Sequence, residues 1–114
     1  MKKDPRVYLD DILFSIDLIQ QYITNVSFSS FDNSYDIQDK VLRRLEIIAE
    51  AAKRLPEEIR LEYRSIPWKS IIGLRNIITH TYDEVNLEEI WLIITQHLPE
   101  TKKQIEEIQS RLQK

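Results

Sequence analysis

Residues 68–82 read WKSIIGLRNIITHTY. Trp68, Ile71, Ile72, Arg75, Ile78 and Tyr82 recur at helical spacing, and Pro67 is well placed as the first residue of that helix. The spacing predicts a helix that ends between His80 and Glu84. The segment holds the only glycine among 114 residues, Gly73. Tight type I′ and II′ hairpins, glycine-rich phosphate loops and Rossmann turns all need residues at positive φ. Sheet-based nucleotide folds are therefore not expected.

Outward from that segment the same period recurs. Asp4-Pro5 supplies a cap followed by proline at the first helical position, and Leu9, Ile12, Leu13, Ile16, Ile19 and Ile23 give a first helix over about 5–25. Residues 25–36 (NVSFSSFDNSYD) are polar and aperiodic, which predicts a long loop whose Phe28, Phe31 and Tyr35 tuck back onto the helices. A second helix over 37–54 carries Ile37, Val41, Leu45, Ile48, Ala52 and Leu55 on one stripe. Pro56 ends it and opens a short helix holding Ile59, Leu61 and Tyr63. Asn86 with Glu89 three residues on resembles a capping box for the last helix. Its stripe of Leu87, Ile90, Trp91, Ile94, Leu98, Thr101, Ile105, Ile108 and Leu112 keeps phase across Pro99. One helix kinked at that proline is expected, with the Thr95 carbonyl losing its usual donor. The architecture is all-α, an up-down bundle of four main helices plus one short one, in a single domain over 1–114.

Composition narrows the chemistry. There is no cysteine, and His80 and His97 are the only histidines, so thiol catalysis and thiolate zinc sites are excluded and no metal or other cofactor is expected. No apolar run approaches 18 residues and the N-terminus lacks an apolar signal core, which predicts a soluble, cytoplasmic protein without a membrane partner. The net charge of −3 argues against a nucleic-acid binder, yet it is unevenly distributed. Residues 40–75 hold nine basic and five acidic side chains, whereas the flanking segments are net acidic. That basic third is either a solvated helix face with i, i+4 pairs such as Glu50 with Arg54, or an anion-binding surface.

The basic third ends at the polar part of the opening segment. Arg75, Asn76, His80 and Tyr82 lie within eight residues on a helix otherwise rich in Ile and Leu. A guanidinium presents a planar fork of donors to phosphate oxygens, and an imidazole moves protons near neutrality. Together they suit phosphodiester cleavage. At about 100° per residue, Tyr82 falls about 20° from Arg75 around the axis and His80 about 140° away. Either the helix loosens before His80, or a second copy of the chain supplies the missing partner. The structural alternative is that Arg75 pairs with a carboxylate such as Glu46 or Glu50, His80 meets the last helix carbonyls and Tyr82 packs. Trp68 and Trp91 read as core or dimer packing rather than base-stacking platforms, and His97 as a hydrogen-bonded residue of the bundle.

Arg75-Asn76-Ile77-Ile78-Thr79-His80-Thr81-Tyr82 resembles the R-x4-H-x-Y signature of the HEPN superfamily, in particular the HepT-like toxins. Leu45 to Lys53 (LEIIAEAAK), Pro67-Trp68, Ile90-Trp91 and His97-Leu98-Pro99 are similar to that group as well, so the resemblance spans nearly the whole chain. It implies a homodimeric, metal-independent endoribonuclease, the toxin of a type VII-like toxin–antitoxin pair whose antitoxin is a minimal nucleotidyltransferase. Arg75 and His80 would be the catalytic pair at a dimer-interface cleft, with the RNA 2′-hydroxyl as nucleophile. Asn76 stands where many relatives have aspartate and would support through hydrogen bonds. Tyr82 matches the tyrosine that the partner modifies with AMP. Arg43, Arg44, Lys53, Arg54 and Lys69 become candidates for tracking RNA phosphates. Two competing expectations are a non-catalytic HEPN-type nucleotide- or RNA-binding module acting with a nucleotidyltransferase, and a structural adaptor that buries the motif.

Overall fold

A computed structural model describes residues 4–80 and 86–112. It is helical throughout, with no strand among the described residues: α1 (Pro5–Tyr22), α2 (Phe28–Asp32), α3 (Tyr35–Arg54), α4 (Glu57–Glu62), α5 (Trp68–Ile72), α6 (Leu74–His80), α7 (Leu87–Leu92) and, after a π-helical turn over Ile93–His97, α8 (Leu98–Leu112). The all-α bundle read from the sequence is the fold observed.

The framework is α1, α3 and α8. Leu9, Ile12, Ile16 and Ile19 of α1 are fully buried, as are Val41, Ile48 and Ala52 of α3 and Ile105 and Ile108 of α8. Each such Leu, Ile or Val contributes about 1.5–3 kcal/mol through removal from water. Polar links across α1 and α8 fix their direction. Lys102 Nζ stands 2.9 Å from Asp17 Oδ1, and Gln109 donates to Asp10, so rising numbers on α8 meet falling numbers on α1 and the two run antiparallel. The hydrogen bond to Asp17 raises the Lys102 pKa above its ordinary value. That stabilisation is complete below the ordinary lysine range and is lost as pH rises through the raised value.

Local signals set most helix ends. Asp4 accepts from the Arg6 N–H at 3.0 Å ahead of Pro5. The Arg6 side chain also donates to Asp4 and holds its carboxyl below the usual range. Asn86 Oδ1 accepts from the Glu89 N–H at 3.0 Å, and Pro56 follows the last turn of α3 as expected.

Three expectations are corrected. The stretch read as a loop over 25–36 contains α2 and the first two residues of α3. Ser27 caps α2 by accepting from the Ser30 N–H, and Ser34 caps α3 by accepting from the Ile37 N–H. Serine at these positions closes orphan amides and so starts helices that hydrophobic period does not announce. Gln38, buried at the start of α3, ties the two together by donating to the carbonyls of Phe31 and Asp32. Phe31 is fully buried and its ring lies 5.2 Å from that of Trp91, with Phe28 edge-on to the same indole at 6.1 Å. Tyr35, by contrast, is 82% exposed: at the first position of α3 it points away from the core.

Second, the helix predicted from Pro67 is two. Gly73, with ψ of −12°, separates α5 from α6. Trp68 is buried and its indole N–H donates to the Tyr63 carbonyl at 3.0 Å, so α5 is pinned to the α4 end of the chain. Third, the last helix does pass through Pro99, but by way of a widened turn. The Leu98 N–H donates to the Ile93 carbonyl, one residue further back than in an α-helix. Proline lacks a donor and its ring crowds the carbonyl four residues earlier, and a one-residue slip before it relieves both constraints.

Candidate active site on helix α6

α6 is short. Leu74 on it is buried and packs into the core with α5, while Ile77 is half-buried. The opposite side presents Arg75, Asn76 and Thr79 to solvent. Thr79 Oγ1 donates to the Arg75 carbonyl at 2.9 Å, which secures the backbone beneath the arginine.

The Arg75 side chain is 60% exposed and Nη1 donates to Glu50 Oε1 of α3 at 2.9 Å. This is one of the two carboxylates anticipated as a structural partner. The other, Glu46, stands one turn earlier and is engaged by Arg43 at 3.4 Å. Pairing with Glu50 consumes one of the five guanidinium N–H donors. An ion pair this exposed contributes about 0–1 kcal/mol to folding after screening by solvent, so its presence does not account for stability.

The backbone remains α-helical from Leu74 through His80, so the helix does not loosen between Arg75 and His80. The interruption falls ahead of both, at Gly73. The His80 side chain and Tyr82 lie outside the described residues. Asn76 is exposed on the same face as its neighbours Arg75 and Thr79, and its N–H donates to the Gly73 carbonyl at 3.0 Å.

Two clefts flank α6 and α3. One of about 340 Å³ is lined by Tyr8 and Asp11 of α1 and by Arg43, Glu46, Glu50 and Arg54 of α3, so the Arg75 partner forms part of its wall. Another, of about 530 Å³, lies on the far side of α6, between Ser70, Gly73, Leu74 and Ile77 and the later residues Glu89, Ile93 and His97. His97 was expected as a hydrogen-bonded bundle residue. It is instead exposed at the end of the π-helical turn and lines this cleft. Among the described residues no three His, Asp or Glu side chains gather closely enough to hold a metal ion. No helix among them is long and apolar enough to cross a membrane. The candidate phosphate-tracking residues Arg43, Lys53, Arg54 and Lys69 are exposed, and Arg44 is half-buried. Trp68 and Trp91 both pack, as expected, rather than presenting a ring for stacking.

Residues 12–108 match the family described as Ribonuclease HepT-like. The chain is 40% identical over all of its 114 residues to "Gamma-glutamylcyclotransferase and putative RNase MJ0434" of Methanocaldococcus jannaschii, of whose length it spans about half (51%). It is 39% identical to "Putative RNase TTE0752" of Caldanaerobacter subterraneus subsp. tengcongensis, covering 93% of this chain and 95% of that one. Identity to "Probable ribonuclease HepT" of Thermococcus cleftensis is 31%, with 95% and 98% covered. No solved structure matches. With a family match across most of the bundle and relatives of similar length aligned nearly end to end, the chain belongs to the HepT-like ribonuclease family of the HEPN superfamily.

Proposed function

We propose that this chain is an endoribonuclease that cleaves RNA without a metal ion, using Arg75 and His80 at a cleft between two copies of the chain. The observation that carries the reading is Arg75 itself: an exposed guanidinium on α6, tethered through one nitrogen, in the R-x4-H-x-Y register of a HepT-like chain. The names "Putative RNase TTE0752" and "Probable ribonuclease HepT" carried by its relatives support the same substrate class. The 2′-hydroxyl of the substrate attacks the adjacent phosphorus. The P–O5′ bond breaks, leaving a 2′,3′-cyclic phosphate and a 5′-hydroxyl. His80 takes the 2′ proton or supplies one to the 5′ oxygen, and Arg75 stabilises charge on the phosphoryl oxygens. The helix backbone is continuous from Arg75 to His80, which favours supply of the complementary group by a second copy across a two-fold axis. Asn76 supports through hydrogen bonds.

The chain acts in this reading as the cytoplasmic toxin of a type VII-like pair, and a minimal nucleotidyltransferase antitoxin silences it by transferring AMP to Tyr82. An added nucleotidyl phosphate near Arg75 occupies the anion site and repels RNA. Purified protein is expected to shorten RNA in the presence of chelator, leave 5′-hydroxyl ends and spare DNA of the same sequence, with Arg75→Ala and His80→Ala strongly impaired in cleavage but folded. Intact mass after co-expression with a nucleotidyltransferase should rise by adenylyl increments that a Tyr82→Phe variant lacks. A wild-type protein that binds RNA and never cuts it is a binding module, and activity that chelator abolishes overturns the metal-free mechanism.

A further inference from the structure

We propose that Glu50 is a positioning residue for Arg75, a role that rests on the ribonuclease reading above. Arginine has long, freely rotating side-chain bonds, and one that stands 60% exposed on a seven-residue helix samples many orientations unless something holds it. Glu50 holds it from α3, the best-anchored neighbour available. Ile48, Ala49, Ala51 and Ala52 around it are all buried, so the backbone that carries the carboxylate is fixed by the core.

The contact runs through Nη1 alone, at 2.9 Å. A two-pronged pair would close the guanidinium fork against the carboxylate, whereas a single tether orients the plane and leaves the other donors for a phosphate. The second carboxylate within a turn, Glu46, is occupied by Arg43, so Glu50 is the one free to serve α6. Support of this kind places a catalytic side chain before substrate arrives and spares its ordering cost at the moment of reaction.

The test compares Glu50→Gln with Glu50→Ala in single-turnover cleavage of one defined RNA and in binding of the same strand carrying 2′-O-methyl groups, with thermal melts to check folding. The amide oxygen of glutamine still accepts from Nη1, so Glu50→Gln retains the rate within about threefold, whereas Glu50→Ala slows it by about 10- to 100-fold. Affinity for the methylated strand stays within about twofold in both, because the charge of Arg75 remains present. In an Arg75→Ala background the further change Glu50→Ala alters the residual rate by less than about twofold. Cleavage by Glu50→Ala at or above the wild-type rate overturns the proposal, as does a full further loss in the Arg75→Ala background. If the wild type cuts no RNA, the ribonuclease reading fails on its own account, and ¹⁵N side-chain spectra still decide the tether. Slow rotation of the Arg75 Nη groups in wild type and Glu50→Gln but not in Glu50→Ala supports it, and equal mobility in all three overturns it.

Discussion

α3 and α6 pack against each other, are joined by the Arg75–Glu50 ion pair and are built on opposite terms. α3 is twenty residues long and buries Val41, Leu45, Ile48, Ala49, Ala51 and Ala52 along one stripe. α6 has seven residues, follows a break at Gly73 and presents Arg75, Asn76 and Thr79 to solvent. Burial of apolar area makes the long helix the source of rigidity, and the short one carries exposed polar side chains at little cost to the core. On the proposed reading, chemistry on a short exposed element needs an external brace, and Glu50 of the long helix is the residue in contact to supply it.

Substitutions should separate the two helices cleanly. Ile48→Ala removes three carbons' worth of packing from a fully buried site on α3 and is expected to lower folding stability by about 4 kcal/mol. Denaturant unfolding would show this, with cleavage lost only in proportion to the unfolded fraction. Arg75→Ala should do the reverse: a fall of about 10²–10³-fold in cleavage rate with stability within about 0.5 kcal/mol of wild type. Should Arg75→Ala unfold the protein, α6 belongs to the framework and the contrast collapses.

Smaller effects sharpen the boundary. Asn86→Ala deletes the side-chain cap of α7 and is expected to cost about 1 kcal/mol, read as a lower thermal midpoint with the cleavage rate at low temperature unchanged. Arg43→Ala breaks an exposed pair with Glu46 and should change stability by less than about 0.5 kcal/mol. If RNA follows the basic face of α3, that variant binds more weakly and the slope of log affinity against log salt falls by about one. An unchanged slope would remove Arg43 from the RNA contact.

How much of this was legible beforehand varies with the range of the interaction. The Asp4-Pro5 start, the Pro56 stop and the Asn86 cap each depend on neighbours two or three residues apart, and all three hold. The stripes of α1, α3 and α8 were readable because a buried face must repeat at the helical period. α2 was not, since its five residues bury only Phe31 and its start is set by a serine cap. Passage of the last helix through Pro99 followed from the unbroken phase of the stripe. The widened turn that permits it did not, and neither did the outward placing of His97.

The amino-acid order alone determined that the chain is helical, where its core faces lie and that Arg75 to Tyr82 forms the motif of its family, because periodicity, caps and motif spacing are local properties. Only the tertiary structure decided which carboxylate Arg75 meets. Glu46 and Glu50 lie on successive turns of α3, 29 and 25 residues before Arg75, and nothing local ranks them. The choice is made by how α3 and α6 pack, which sets Glu50 within 2.9 Å of the guanidinium and leaves Glu46 to Arg43.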